Sequence, residues 1–180
     1  VLKKTITSDV AFTIEMESMK FIVGCDLEEF KRYYGRSGRG NLGVTEENIV
    51  TKDSSHLIVW KENNKIVGHA LWHETNTEEH RKGESRDKED RELLENLLGE
   101  KKDFIELHEV WLMEEYRGNG YGKRFFEFFE EFMRNKGCDS IVFYADHPAA
   151  IAICRQHGYK EDFLTKENWH VFHLSLKKKA

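Results

Sequence analysis

The residues of this 180-residue chain whose types and spacing point most directly to chemistry lie in one glycine-rich turn. The turn has the order Arg117, Gly118, Asn119, Gly120, Tyr121, Gly122 and Lys123. It follows residues 104–112, which have the apolar composition of a strand, and it opens the amphipathic helical pattern of residues 121–136. Such an order directs free backbone N–H groups at one point, where the helix dipole favours negative charge. The segment therefore predicts a phosphate-binding site.

Two common phosphate motifs are excluded by the residues around the turn. A Walker loop ending at Lys123 requires glycine at position 117 and serine or threonine at position 124, but both positions hold arginine. The dinucleotide fingerprint requires a third glycine at position 121 or 123, which hold tyrosine and lysine. What remains is the pattern Arg-x-x-Gly-x-Gly between a strand and a helix.

That pattern resembles the acyl-CoA pyrophosphate loop of the GCN5-related N-acetyltransferase (GNAT) family. Residues 150–159 (AIAICRQHGY) are similar to a second signature of that family, a helix that ends in glycine and an aromatic residue. The two signatures and the strands around them cover residues 104–159. One departure lies before the loop, where the proline frequent in the family is Glu114.

The resemblance implies a mixed α+β fold, with a splayed, mostly antiparallel central sheet flanked by helices. The sheet is expected to open between strands at 104–112 and 140–145, where a free strand edge would bind the pantetheine arm of acetyl-CoA. The backbone of the glycine turn would hold the pyrophosphate, and Arg117 and Lys123 could add charge, although both side chains also suit a solvated surface. The cofactor-binding residues implied by the resemblance are Val110, Trp111, Leu112, Arg117, Gly118, Asn119, Gly120, Tyr121, Gly122, Lys123, His147 and Cys154. No metal is expected.

The implied reaction is attack of a primary amine on the thioester of acetyl-CoA. The amine must lose a proton to attack, so the site needs a base. Glu106 stands eleven residues before Arg117, where family members often carry a catalytic glutamate, and Glu109 is the second choice. Burial near the sheet opening would raise the pKa of such a carboxylate. The alternative is that both are ordinary strand residues, and His108 is expected to be a packed or exposed strand histidine.

The position that often holds a proton-donating tyrosine in the family is Cys154 here. Two roles stay open for this thiol, a proton donor to the departing CoA and a small buried hydrophobe, of which the second is favoured. His147 replaces the usual asparagine and is expected to cap the following helix, contact CoA or lie exposed.

Length and composition favour one domain over residues 1–180, with a charged loop and helix inserted at about 74–103. The insertion holds 11 acidic and 7 basic side chains, a weak indication of a cationic acceptor. The net charge of −5 disfavours nucleic acid and anionic membranes, and three widely spaced cysteines indicate free thiols. A cytoplasmic protein is the simplest interpretation.

The order of predicted elements is a strand at 12–17, helices at 27–34 and about 45–48, and a hairpin at 57–72. A helix at 91–98 follows within the insertion, then strand 104–112, helix 121–136, strand 140–145, helix 149–156 and strand 169–176. Residues 35–43 are expected to form a mobile loop. The leading interpretation is an acetyl-CoA-dependent N-acetyltransferase acting on a small-molecule or peptide amine, with a homodimer left open. A non-catalytic acyl-CoA-binding module and an unrelated phosphate-binding protein are the alternatives.

Overall fold

The computed structural model describes residues 19–84, 87–100 and 102–177. Its strands are β1 (Met19–Val23), β2 (Leu57–Glu62), β3 (Lys65–Asn76), β4 (Asp103–Leu112), β5 (Ser140–Ala145), β6 (Lys160–Leu164) and β7 (Trp169–Ser175). Its α-helices are α1 (Leu27–Arg36), α2 (Val44–Lys52), α3 (Asp87–Leu98), α4 (Tyr121–Asn135) and α5 (Pro148–Gln156). The strand predicted at 12–17 lies outside the described residues.

The strands form one seven-stranded sheet in the order β1-β2-β3-β4-β5-β7-β6. The pairs β1–β2, β5–β7 and β6–β7 are antiparallel, and β4–β5 is parallel. The predicted mixed, mostly antiparallel sheet flanked by helices is therefore confirmed.

The chain divides into two compact units, and β3 and β4 contribute to both. Unit 1 comprises Val1–Ala70 and Val110–Tyr121, and unit 2 comprises Leu71–Glu109 and Gly122–Ala180. In unit 1, three buried aromatic residues of α1, Phe30, Tyr33 and Tyr34, surround the imidazole of His69. The prediction of a single domain over 1–180 remains a prediction.

The core of unit 2 is built around α4, as the helical spacing of its aromatic residues predicts. Phe125, Phe126, Phe129 and Met133 are buried, and the Phe126 ring contacts Phe143 of β5 edge to face. The helix ends before Gly137, whose positive φ of 78° suits glycine at a helix C-terminus.

Two boundaries differ from the sequence prediction around the glycines and the insertion. Helix α1 continues through Gly35 to Arg36, because the Ser37 hydroxyl donates to the Tyr34 carbonyl at 2.7 Å and closes the last turn. The predicted loop therefore begins at Ser37. Strand β3 runs on to Asn76, so the first residues assigned to the insertion belong to the sheet.

Strand β6 was not predicted from the sequence. Its residues Lys160–Leu164 are four exposed positions followed by one buried leucine, so they lack the apolar alternation of a half-buried strand. Among the described strands it lies at the sheet edge and pairs with β7 alone, and polar residues are tolerated on both faces of such an edge.

The three cysteines, Cys25, Cys138 and Cys154, are free thiols, as their spacing indicates. Among the helices in the described part of the chain, none has the length and apolar character required to cross a membrane.

Edge strand β6 is tied to its neighbours by Glu161, and this contact gives a pH-dependent stability. Arg155 donates to both Glu161 oxygens at 2.8 and 2.7 Å, and His170 Nδ1 lies 2.7 Å from Oε1. The hydrogen bonds from Arg155, followed by that from His170, lower the pKa of Glu161 from 4.5 to about 2. A lowered folded-state pKa stabilises the fold above the unfolded-state value, and this contribution is lost as pH falls from about 4.5 towards 2.

We therefore expect Glu161→Gln to reduce the free energy of unfolding by up to about 1 kcal/mol at pH 7, because the pair is largely exposed. Urea denaturation at several pH values should show that difference shrinking below about pH 4.5. The control is Glu131→Gln, whose ion pair with Arg134 is exposed and 3.5 Å long. A difference from wild type that stays constant down to pH 3 would contradict the assignment.

Candidate active site

The glycine turn has the backbone conformation that its sequence predicts. A short 3₁₀ turn, Glu114–Tyr116, follows β4, and α4 then begins at Tyr121. Gly118 and Gly120 have positive φ values of 82° and 78°, which side chains with a Cβ adopt only with strain. Residues 117–120 are exposed, so their backbone is accessible from solvent.

The side chains of the turn are largely engaged within unit 1. Arg117 Nε donates to the Leu112 carbonyl at 2.8 Å, and its guanidinium stacks 4.6 Å from the Trp111 ring centroid. The Tyr121 hydroxyl donates to Glu62 at 3.2 Å. A ligand at this turn would therefore meet mainly backbone groups, which favours backbone over side-chain binding.

The end of β4 is fixed by close contacts in unit 1. The Trp111 indole N–H donates to the Ser37 carbonyl at 2.8 Å, and the Arg39 guanidinium lies 5.3 Å from the Trp111 ring centroid. The Met113 N–H donates to the Val67 carbonyl at 2.9 Å. These contacts hold Val110, Trp111 and Leu112, the three positions expected to bind a pantetheine arm, in an extended conformation.

The pairing of β4 with β5 is short, as the predicted splay requires. Within unit 2 the register joins Ile105 to Ile141, Glu106 to Val142 and Leu107 to Phe143. Both strands continue beyond this ladder, to Glu109 and Ala145 in the same unit. The ladder therefore ends where the resemblance expects the sheet to open.

Glu106 is the centre of a polar cluster in unit 2. Its side chain is 3% exposed, and three imidazole nitrogens lie close to its oxygens. His73 Nε2 is 3.2 Å from Oε2, His80 Nδ1 is 3.0 Å from Oε2, and His108 Nδ1 is 3.1 Å from Oε1. The guanidinium of Arg81 lies 3.6 Å from Oε1.

The ionisation of Glu106 differs from the sequence expectation. Burial by itself would raise the pKa of this carboxyl group, but the hydrogen bonds from His108 and His73 and the charge of His80 outweigh burial, so its pKa lies well below the usual range. The expectation of a raised pKa is therefore wrong. Loss of water raises the pKa of a carboxyl group, but here several N–H donors replace the water and lower that pKa by more.

The insertion supplies the inner wall of the same cluster. His80 Nε2 lies 3.1 Å from the Tyr144 hydroxyl, and that hydroxyl donates to Asp90 of α3 at 2.5 Å. Burial lowers the pKa of His80 to about 4 and raises that of Asp90 to about 6. The guanidinium of Arg81 stacks on Tyr144 and Trp169, at 4.9 and 5.5 Å from their ring centroids.

His73 and His108 form the partly exposed side of this cluster. Their side chains are 28% and 17% exposed, while each keeps one ring nitrogen on Glu106. The sequence predicts a packed or exposed strand position for His108 and gives no reason to select His73. The available signal was the spacing of Glu106 and His108, because residues two apart on a strand share a face.

Glu109 is buried, and its odd separation from Glu106 and His108 assigns it to the other face of β4. It therefore does not belong to the histidine cluster. Its catalytic role remains a prediction.

The positions His147 and Cys154 belong to α5 and its N-terminus. His147 caps the helix, with Nδ1 accepting from the Ala149 N–H at 3.2 Å, which confirms the first of its three expected roles. Cys154 has no exposed surface, and burial raises the pKa of its thiol to about 12. These two properties favour packing over proton donation or side-chain contact with a cofactor.

The remaining predicted positions begin α4. Lys123 is exposed, and a Cβ added to Gly122 would lie 3.3 Å from Ile153 Cδ1 of α5. Glycine at position 122 thus permits close packing of α4 and α5 in unit 2.

Comparisons with known proteins agree with the family resemblance seen in the sequence. A sequence model described as the Acetyltransferase (GNAT) family matches residues 24–159. A mosquito arylalkylamine N-acetyltransferase-like protein is 13% identical, with a TM-score of 0.64 over 88% of this chain and 100% of that one. Drosophila melanogaster polyamine N-acetyltransferase, described as forming N-acetylagmatine, is 12% identical, with a TM-score of 0.61 over 87% and 100%.

A Bacillus subtilis N-acetyltransferase solved with coenzyme A is 11% identical, with a TM-score of 0.56 over 87% of this chain and 96% of that one. At these identities the likeness shows the fold alone. No curated protein sequence matches the chain significantly.

The approach of β3 to β4 in unit 1 depends on Gly68. A Cβ at this position would lie 2.8 Å from the Trp111 carbonyl oxygen and 3.1 Å from two atoms of the buried Trp60 ring. We expect Gly68→Ala to destabilise the fold by about 1–3 kcal/mol, because the backbone of β4 must move. Thermal and urea denaturation measure the loss.

Gly35→Ala is the matched control, since no atom lies within 4 Å of its added Cβ and the residue is in α1. Alanine there should be neutral or stabilise by up to about 1 kcal/mol. Equal stability of Gly68→Ala and wild type would contradict the packing argument.

Proposed function

The chain belongs to the GNAT acetyltransferase family, and from this premise we propose that it transfers an acetyl group from acetyl-CoA to a primary amine by direct attack. One observation carries the proposal. Strand β4 leaves its parallel ladder with β5 after three residue pairs and leads along the chain into an exposed glycine turn. Such a strand edge and turn suit the two parts of CoA, the extended pantetheine arm and the pyrophosphate.

In this proposal the donor is held mainly by backbone groups. Val110, Trp111 and Leu112 offer the main chain of β4 to the amide groups of pantetheine. The N–H groups of residues 118–123 hold the pyrophosphate, and the positive end of the α4 dipole adds to the attraction. The size of the acyl group is best tested as a series of acyl-CoA donors that begins with acetyl-CoA.

The acceptor is proposed to be a primary amine that enters as the ammonium ion. Its nitrogen must lose a proton before or during attack on the thioester carbon. Glu106 is too buried to meet the amine directly, and its oxygens already face three imidazoles and a guanidinium. In the proposed reaction the imidazole of His73 or His108 accepts this proton. Glu106 orients that imidazole and stabilises the positive charge that the ring gains.

The leaving thiolate of CoA needs little assistance. Cys154 is unsuited as its acid because the thiol is buried and its pKa is raised to about 12. Water is the proposed proton source, since a free thiol has a pKa of about 8.5 and its anion is a good leaving group.

The same thiol supports the second candidate, a non-catalytic acyl-CoA-binding module. A chain without a proton donor at this position could keep the cofactor site and lack turnover. Binding of CoA without release of free thiol, over a broad amine panel, would favour that module over the enzyme.

Turnover is tested by following free CoA thiol with a panel of arylalkylamines, polyamines, agmatine and peptides with free N-termini. We expect Glu106→Gln to lower kcat by about 10²-fold or more while the Kd for CoA stays unchanged, because the histidine loses the carboxylate that stabilises its protonated ring and base assistance contributes on this scale. The rate of Glu109→Gln, measured in the same assay, shows which of the two predicted carboxylates assists the reaction. A wild-type rate in Glu106→Gln at neutral pH would exclude the proposed role of Glu106.

The backbone site for pyrophosphate is tested by Gly120→Ala. The side chain opposes the positive φ of 78° and shifts an N–H that would bind phosphate, so we expect CoA binding to weaken about 10–100-fold. Isothermal titration calorimetry gives the Kd.

Gly99→Ala is the matched control for this variant, because its φ of 89° is also positive and no atom lies within 4 Å of the added Cβ. Both variants should lose similar stability, and only Gly120→Ala should lose affinity for CoA. Equal CoA affinity in the two variants would place the pyrophosphate elsewhere.

A further inference from the structure

The side chains of His73, Glu106 and His108 bring three potential metal ligands, two imidazoles and one carboxylate, to one place in unit 2. His73 Nε2 lies 3.2 Å from Glu106 Oε2, and His108 Nδ1 lies 3.1 Å from Glu106 Oε1. All three side chains present donor atoms within 4.8 Å of one another. From this geometry we propose that the three residues form a reversible binding site for Zn²⁺.

The spacing is close to that of ligands around a shared ion. Two ligands about 2.1 Å from a tetrahedral zinc ion lie about 3.4 Å from each other. The two nitrogen–oxygen distances, 3.2 and 3.1 Å, are slightly shorter and reach the two different oxygens of Glu106, so the cluster must open slightly to admit the ion. The imidazoles are the partly exposed members, at 28% and 17%, so a small ring rotation can bring their nitrogens together and an ion can reach them.

The donor set selects the class of ion. Two imidazoles and one carboxylate suit Zn²⁺ and, in the laboratory, Co²⁺ or Ni²⁺, whereas Mg²⁺ and Ca²⁺ prefer oxygen ligands. Three protein ligands with exposed imidazoles also leave room for water as a further ligand, as in open zinc sites.

The neighbours of Glu106 both support the site and limit its strength. His80 Nδ1 lies 3.0 Å from Oε2 and orients the carboxylate, as outer partners of metal ligands commonly do. Arg81 lies 3.6 Å from Oε1, and its fixed positive charge repels a bound cation. We therefore expect reversible binding that chelators remove readily, rather than a permanently occupied structural site.

Zinc binding would regulate the proposed reaction. A neutral imidazole that coordinates zinc through the nitrogen facing Glu106 carries its proton on the other nitrogen, so the ring cannot accept a proton from the amine. The occupied site would therefore inhibit acetyl transfer, and EDTA would restore it. This regulatory consequence rests on the proposed function, whereas the binding of the ion does not.

Binding is tested on the full chain without a histidine tag. The protein is stripped with EDTA and dialysed against micromolar Zn²⁺, and bound zinc is counted by mass spectrometry of the metal. We expect about one ion per chain in the wild type, and an affinity at least about tenfold lower in His73→Gln and in His108→Gln. The controls outside the cluster are His147→Gln at an exposed histidine and His170→Gln at a partly exposed one.

A second measurement uses only the wild-type protein, so it does not depend on the folding of any variant. Co²⁺ bound by imidazole and carboxylate should give visible ligand-field bands without a thiolate charge-transfer band. No uptake of either metal, a thiolate band, or wild-type zinc affinity in both cluster variants would overturn the site. Because zinc is counted without substrate, failure of the metal site and failure of acetyl transfer are separate results.

Discussion

The parallel strands β4 and β5 are joined only from Ile105 to Leu107, although both continue beyond that ladder. A strand edge that leaves its ladder can accept an extended ligand as its next neighbour, because the spacing of its N–H and C=O groups is already set. Glu106 lies one residue before the ladder ends. Its backbone is therefore fixed by pairing with Val142, while its side chain extends into a polar cluster in the same unit.

That side chain is a buried carboxylate, and a buried charge is tolerated only when hydrogen bonds and opposite charge replace the lost water. The replacement comes from two sources. The sheet supplies His73 from β3 and His108 from β4 itself, and the insertion supplies His80 and Arg81. The insertion has a net negative charge, but His80 and Arg81 within it face inwards against Glu106. A cationic acceptor remains a prediction.

The sequence predicted well those features that depend on neighbouring residues. The glycine turn, the aromatic face of α4 and the cap at His147 each depend on residues within a few positions, and each occurs in the structure. The edge strand β6 was missed because its exposed faces remove the apolar alternation. The surroundings of Glu106 were missed for another reason. His73 is 33 positions away from Glu106, and the Tyr144 contact with Asp90 spans 54 positions, so these residues meet only through the tertiary packing of strands and helix α3.

The helix of the insertion has a consequence for how this fold can be altered. Asp90 on α3 reaches Tyr144, which meets His80, which meets Glu106, so the inserted segment and the central strand share one chain of polar contacts. The insertion therefore cannot be removed without changing the surroundings of Glu106. Shortening it would remove His80 and Arg81 from Glu106 and leave the buried carboxylate with only His73 and His108 among its described partners, so the same step would have to supply new donors or make position 106 neutral.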